Sequence, residues 1–242
     1  MFAVFKRKNL IIISVLVATI ITFVVCFSAL ASIKTSKADV GKIKIVLDAG
    51  HGGVDGGVCG VKTGVKESEL NLSVVKKLEQ YIICAGMEPV LTRSSNAGLY
   101  GVATSNLKRK DMEKRKEIIN NSGAVAVVSI HMNKYSVSTR RGAQVFFKKS
   151  DENSKMLAEN VQKCFNEMDS ASRSCSILSG DYYILNCSNT PSIIAECGFL
   201  SNPQDEALLI TEQYQSEIAY AIFKGIFGYL TQATLFYFSH SH

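Results

Sequence analysis

The sequence predicts a single α/β domain, a mostly parallel or mixed twisted sheet flanked by helices on both faces, preceded by an N-terminal transmembrane or signal segment. Three observations predict it. The runs Lys42–Asp48, Ala124–Ile130 and Ser192–Glu196 are rich in apolar residues without regular polar alternation, the mark of strands covered on both faces. Between them lie segments whose apolar residues recur at helical spacing. No repeat, low-complexity run or second change of composition follows residue 41. Strands alternating with helices give a sheet sandwiched between helical layers.

The first eight residues are basic through Lys6, Arg7 and Lys8, and Leu10 to Ala31 carries no charge. A run of about 20 apolar residues spans a bilayer as a helix, and a basic flank keeps its N-terminus inside. Ser28-Ala29-Leu30-Ala31 has the small residues of a cleavage site. Residues 1–31 therefore read as a signal anchor or a signal peptide. The length of the apolar run favours the anchor, and either way the remainder is exported. Residues 32–41 are a polar linker.

The strand Lys42–Asp48 stops at a glycine-rich turn, Asp48-Ala49-Gly50-His51-Gly52-Gly53. A helix starts at Lys66. Leu70, Val74, Val75, Leu78, Tyr81 and Ile82 share one face, and Gly86 is a stop signal. Pro89–Thr92 is a short strand, residues 94–107 a polar loop, and Lys108–Asn121 a charged helix. Ala124–Ile130, the clearest strand, delivers His131. Gly142–Lys148 is a strand. Asp151–Met168 is a helix with Leu157, Val161, Cys164, Phe165 and Met168 inward. A Ser-rich loop spans 169–180, and Tyr182–Leu185 and Ser192–Glu196 are predicted strands. Thr211–Leu230 closes the domain, with Ile218, Ile222, Ile226 and Tyr229 on one stripe. The domain thus spans 42–230, and 231–242 is a tail without an assigned role.

The formal net charge is +6, and Lys6, Arg7 and Lys8 supply half of it, so the folded part is only mildly basic. No stripe of Lys and Arg interleaved with aromatics is present, which speaks against nucleic-acid binding. None of the seven cysteines forms a Cys-x-x-Cys pair, which speaks against a zinc ribbon or a thioredoxin-like motif. Cys84, Cys164 and Cys197 stand in apolar contexts and read as small core residues. Cys175 and Cys187 are candidates for a disulfide that spacing alone does not support.

Of four histidines, His240 and His242 lie in the tail, while His51 and His131 each follow an apolar strand. Ligands of open α/β sheets collect at carboxyl ends of strands. Imidazole is the commonest metal ligand, and a catalytic zinc site typically takes three protein ligands, such as two His and a carboxylate, leaving a fourth position open. The candidate carboxylates are Asp48, Asp55, Glu67, Glu69 and Glu196. Glu67 opens the first helix above the same sheet edge as His51. Glu196 ends an apolar strand, where an unpaired carboxylate is costly to bury. The residues alone leave open which carboxylate binds metal and which moves protons.

Four stretches carry a resemblance. They are Asp48-Ala49-Gly50-His51-Gly52-Gly53, Lys66-Glu67 leading into Leu70-Asn71-Leu72, Ser129-Ile130-His131-Met132-Asn133, and Ala195-Glu196-Cys197-Gly198-Phe199-Leu200-Ser201-Asn202. In order and spacing they resemble the zinc-dependent N-acetylmuramoyl-L-alanine amidases of the amidase_3 family, over about residues 43–230. Thr92-Arg93 and Arg115 match its Thr-Arg pair and a later Arg, whereas Ala49 stands where many members have proline. The resemblance implies that His51, Glu67 and His131 are zinc ligands, that Glu196 is the catalytic acid/base, and that Asp48 and Asn133 support them. Gly50, Gly52 and Gly53 would then give zinc and a glycan-linked substrate room to approach the backbone.

The implied reaction is hydrolysis of the amide joining the lactyl group of N-acetylmuramic acid to L-alanine of the peptidoglycan stem peptide. A different zinc peptidase and a non-catalytic peptidoglycan-binding domain are the other classes to weigh. Glu196 alongside all three implied ligands argues against a binder, which needs no proton shuttle. One catalytic domain on a membrane leader, together with Arg141–Phe147 and Asp181–Leu185, is similar to the sporulation amidases within this family. That likeness implies action on spore cortex, in muramic-δ-lactam formation and germination, between the forespore and mother-cell membranes. A vegetative cell-wall amidase or autolysin is the alternative. Targeting would rest on the membrane segment or on an extracytoplasmic accessory protein.

Overall fold

The computed structural model describes residues 41–239 together with Thr19. The expected signal segment and linker otherwise lie outside the described residues, as do His240 and His242. Among the described residues, no helix is long and apolar enough to cross a membrane. One six-stranded sheet contains β1 (Lys44–Ala49), β2 (Glu88–Leu91), β3 (Ala126–Asn133), β4 (Gln144–Lys148), β5 (Leu178–Gly180) and β6 (Ser192–Phe199). Their order is β2-β1-β3-β6-β4-β5. Every neighbouring pair is parallel except β4 against β6, so the sheet is mixed. The helices are α1 (Glu67–Cys84), α2 (Leu107–Asn121), α3 (Glu152–Asn166), α4 (Tyr183–Asn186), α5 (Pro203–Leu209) and α6 (Glu212–Ser239).

Side chains alternate between the faces of a strand, and here the two faces differ. Ile45, Leu47 and Ala49 of β1, Val128, Ile130 and Met132 of β3, and Ile193, Ala195 and Cys197 of β6 join the larger core with α1, α3 and α6. The expected stripes of α1 and α6 are the ones buried there, from Leu70 to Ile82 and from Ile218 to Tyr229. The opposite face bears Val46, Val127 and Ile194, packed with Ile119 of α2 and with Ile184 and Leu185 of α4. One step further along each strand, that same face turns polar, at Asp48, Ser129, His131 and Glu196. The register pairs Asp48 with Ser129 and His131 with Glu196, so these side chains form two adjacent rows on one face.

Several elements differ from the sequence reading. Tyr182–Leu185 is not a strand. Its backbone closes a helical turn, with the Leu185 and Asn186 amides donating to the Tyr182 carbonyl at 3.1 and 3.2 Å. This lets two adjacent apolar residues, Ile184 and Leu185, both enter the smaller core, which a strand's alternation forbids. The edge strand is instead Leu178–Gly180, inside the expected loop, held by pairing with β4 rather than by an apolar pattern. The last helix continues to Ser239 instead of ending at Leu230. The helix α5 was not anticipated, although Asn202 caps it and Pro203 opens it. Cys84 is exposed rather than a core residue, and all six described cysteines, Cys175 and Cys187 included, are free thiols.

Helices α3 and α6 meet at Gly225. A β-carbon there would come within 2.5 Å of the Val161 Cα and 2.8 Å of its backbone nitrogen. In an open helix Gly→Ala is favourable by about 1 kcal/mol. Here Gly225→Ala must push two helices apart, so it is expected to destabilise the protein by about 1–3 kcal/mol, read from the midpoint of chemical denaturation. An unchanged or raised midpoint would contradict this close approach.

Candidate metal centre

Beyond β1 the chain reverses through Gly50, His51, Gly52 and Gly53. His51 itself adopts a left-handed conformation (φ 61°), followed by Gly52 at 135° and Gly53 at 62°. Long side chains from elsewhere hold the carbonyls of this turn. Arg93 Nε and Arg115 Nη1 donate to Ala49 O at 2.8 and 2.9 Å. Arg93 Nη2 and Asn71 Nδ2 donate to Gly50 O at 2.9 and 3.0 Å, and Arg115 Nη2 donates to His51 O at 2.6 Å.

Beneath the turn, buried Asp48 is ion-paired to Arg115 and accepts hydrogen bonds from Thr92 Oγ1 (2.6 Å) and Ser129 Oγ (2.5 Å). Burial acts to raise its pKa, but Arg115 and the two hydroxyls hold it below the usual carboxylate range. Arg93 donates to backbone carbonyls only, and burial and the charge of Arg115 push it down to about 10.

Glu67, the first residue of α1, is buried. Its Oε2 accepts the Val58 amide at 2.8 Å and its Oε1 accepts the Met132 amide at 3.1 Å. Oε1 also lies 3.0 Å from His131 Nδ1 and 3.3 Å from His51 Nε2. Burial opposes its ionisation, yet the two imidazoles outweigh it and hold the carboxyl well below its ordinary value. For His51, burial acts downward while Glu67 and Asp55 pull up, to a net value of about 8. The two rings meet edge to face, 5.1 Å between centroids.

His51, Glu67 and His131 each offer one donor atom, and these atoms lie within 4.8 Å of one another. The spacings of 3.0 and 3.3 Å around Glu67 Oε1 match the edge of about 3.4 Å of a tetrahedron with metal–ligand bonds of ~2.1 Å. Two imidazoles and one carboxylate are a donor set suited to zinc, so the residues present fit that ion.

Glu196 stands beside this cluster, across the strand register from His131. It is half-buried, and its Oε2 is sequestered without a hydrogen-bond partner. Burial pushes its pKa up to about 7, with His131 opposing and Glu67 adding. Glu196, His51 and His131 line a cavity of about 540 Å³ whose outer wall includes Leu107, Met112, Tyr182 and Tyr183.

The sequence profile of the Amidase_3 family, described as N-acetylmuramoyl-L-alanine amidase, matches residues 45–227. The chain belongs to this family. The amidase is 35% identical over 196 residues to the germination-specific N-acetylmuramoyl-L-alanine amidase of Bacillus subtilis (strain 168), covering 79% of this chain and 81% of that protein. Among solved structures it is similar to the CwlD amidase from Clostridioides difficile, in complex with the GerS lipoprotein. There the TM-score is 0.76 at 37% identity, covering 78% of this chain and 99% of that one. The catalytic domain of CwlV from Bacillus (Paenibacillus) polymyxa gives 0.67 at 29% identity, over 78% of this chain and 98% of that one.

The expected site residues of the amidase thus converge: His51, Glu67 and His131 in one cluster, Glu196 next to it, Asp48 and Arg115 behind. His131 lies within β3 rather than just beyond a strand end, and β6 runs on past Glu196 to Phe199. Glu69 faces solvent and takes no part. Asn133 accepts the Lys134 amide at 2.8 Å on its side chain and the Leu200 amide at 2.9 Å on its carbonyl, where the β3–β6 register shifts.

The glycines of the turn serve its packing. The space a β-carbon would need is filled by the protein itself: the His131 ring against Gly50 (2.2 Å), Ala97 O and Arg93 against Gly52 (2.9 and 3.1 Å), and Tyr100 against Gly53 (2.1 Å). The β-carbon side of each is taken by neighbouring protein atoms, while Gly50 and Gly52 also line the cavity.

Two supports escaped the sequence reading. Asn71, on the otherwise apolar face of α1, donates to Gly50 O and Glu67 Oε1. Glu206 of α5 accepts the Lys62 and Thr63 amides and so pins the loop that leads into Glu67. An asparagine on an apolar face was the available signal for the first, and the Asn-Pro helix opening for the second.

A carboxyl whose folded pKa is raised from 4.5 to about 7 costs nothing below pH 4.5, where both states are protonated. The cost grows as pH rises to about 7 and is complete above it. Glu196→Gln is therefore expected to stabilise the metal-free amidase by about 1–3 kcal/mol at about pH 8, and not at about pH 4. Denaturant titrations at both pH values check this; equal gains at both would contradict the raised pKa.

Proposed function

We propose that this amidase is zinc-dependent and cleaves the amide between the lactyl group of N-acetylmuramic acid and L-alanine of the stem peptide, with His51, Glu67 and His131 holding the metal and Glu196 moving the proton. The observation that carries the reading is the His51–Glu67–His131 donor cluster with an unpartnered, protonatable Glu196 one strand away. Bound zinc supplies Lewis-acid polarisation of the scissile carbonyl and lowers the pKa of a water molecule. Glu196 takes a proton from the attacking water as its oxygen bonds to the lactyl carbonyl carbon. It returns that proton to the alanine nitrogen as the C–N bond breaks, leaving a lactyl carboxylic acid and a free peptide amine. In the metal-free protein burial raises the Glu196 carboxyl above its ordinary value, in the direction that favours a group able both to accept and to return a proton. Glu67, held ionised by its imidazole and amide neighbours, stays a ligand and does not compete for the proton.

We further propose that the substrate is spore-cortex peptidoglycan, where stripping of stem peptides leads to muramic-δ-lactam. The similarity to a germination-specific amidase supports this. The site would face an extracytoplasmic space, with residues 1–31 as the membrane anchor or signal peptide, 32–41 as linker and 42–230 as catalytic domain. The CwlD amidase is in complex with a lipoprotein, which supports an extracytoplasmic accessory protein as the targeting partner here.

Digestion of purified peptidoglycan by the full chain, followed by mass analysis, is expected to release peptides beginning with L-alanine and to stop on chelation. Glu196→Gln is expected to lower the rate at least about 10²-fold while the zinc content stays that of the wild type. Full activity in that variant, or in chelator, would overturn the assigned roles. Deleting the gene in an endospore-forming host is expected to leave cortex without muramic-δ-lactam and vegetative walls unchanged. Defective vegetative walls with intact cortex would instead identify an autolysin.

A further inference from the structure

We propose that Asp55 is a positioning residue that fixes the tautomer and orientation of His51, so that His51 presents Nε2 to the metal. This rests on the reading of His51, Glu67 and His131 as ligands. Asp55 Oδ1 lies 3.0 Å from His51 Nδ1. A carboxylate only accepts, so Nδ1 carries a proton, and the neutral ring that binds a metal then has its lone pair on Nε2. That nitrogen is 3.3 Å from Glu67 Oε1 and faces the donor cluster.

Asp55 is itself fixed. Its Oδ1 accepts the Gly57 amide at 3.1 Å. Its backbone pairs with Gly52 through bonds of 2.8 and 3.2 Å. The acceptor and the ring it orients therefore ride on one short loop, and a histidine with a left-handed backbone gains a second point of attachment. His131 is held differently. It offers Nδ1 to Glu67 at 3.0 Å, and its ring is seated against Gly50. The two imidazoles thus present opposite nitrogens, and His51 has a carboxylate behind it.

Asp55 cannot serve as a fourth ligand in this arrangement, because it lies on the far side of the His51 ring from Nε2. A carboxylate behind a ligating histidine raises its basicity and holds its ring in place, and loss of such a partner commonly lowers metal affinity about 10–100-fold. The rival role is loop closure alone, through the Gly57 amide. Asp55→Asn separates the two. Its amide oxygen still accepts both N–H groups but carries no charge, whereas Asp55→Ala removes the acceptor altogether.

The test uses the detergent-solubilised full chain and Zn²⁺, with affinity measured by competition with a chromophoric chelator. Expected are a loss of about 10–100-fold in Asp55→Ala and a smaller loss in Asp55→Asn, with His51→Ala as the ligand-loss control. Long-range ¹H–¹⁵N correlation of the zinc-loaded protein is expected to show His51 protonated at Nδ1 and bound through Nε2. Wild-type affinity in Asp55→Ala while His51→Ala loses zinc, or His51 bound through Nδ1, overturns the inference alone. A wild-type chain that takes up no Zn²⁺ overturns the ligand assignment and this inference with it.

Discussion

The buried ion pair between Asp48 and Arg115 is the constraint on which the rest of the site depends. Both side chains are almost wholly inaccessible, so each charge needs the other. Removing one partner of such a pair leaves an uncompensated charge worth about 3–5 kcal/mol. The pair does more than neutralise itself. Arg115 reaches past Asp48 to the carbonyls of Ala49 and His51, while Asp111 accepts from its Nε at 2.6 Å. One guanidinium thus ties α2 to the end of β1 and to the turn that carries His51. A non-glycine residue in the left-handed region costs about 1–3 kcal/mol unless its surroundings over-determine it. At His51 the over-determination is visible, in the bonds from Arg115 to its carbonyl and from its ring to Asp55.

The sheet delivers the other groups through simple parity. Its larger face is apolar along β1, β3 and β6, and three helices cover it. Its smaller face is apolar only near the strand starts, where α2 and α4 cover Val46, Val127 and Ile194. Towards the carboxyl ends the cover stops and the cavity opens onto His131 and Glu196. A carboxylate at that boundary is partly desolvated yet reachable. This explains both its raised pKa and its missing hydrogen-bond partner. Such a group persists more readily at a reacting centre than in a packed core.

Glu67 shows the opposite treatment of the same side chain. It sits at a helix N-terminus, where the dipole favours an anion, and it accepts two backbone amides besides facing two imidazoles. The loop before it is tethered by Glu206 and by the bridge between Cys59 and Lys66. Two neighbouring glutamates are therefore driven in opposite directions, Glu67 towards the anion and Glu196 towards the protonated form.

The sequence by itself determined the α/β class, the strands of the sheet centre, the amphipathic faces of α1 and α6, and the identity of His51, Glu67, His131 and Glu196 as the residues to watch. These are local or periodic signals: unbroken apolar runs, helical spacing, and chemistry-bearing residues at strand ends and at the first helix start. Tertiary structure alone decided that Tyr182–Leu185 is a helical turn and that an edge strand forms at Leu178–Gly180. It also decided that Gly50, Gly52 and Gly53 admit the ring of His131, the side chain of Arg93 and the hydroxyl of Tyr100. It likewise set the opposite pKa shifts of Glu67 and Glu196, which the residues alone left open. The reason is physical. A carboxyl's pKa and a glycine's neighbours depend on atoms tens of residues away, brought close only when the strands align in register.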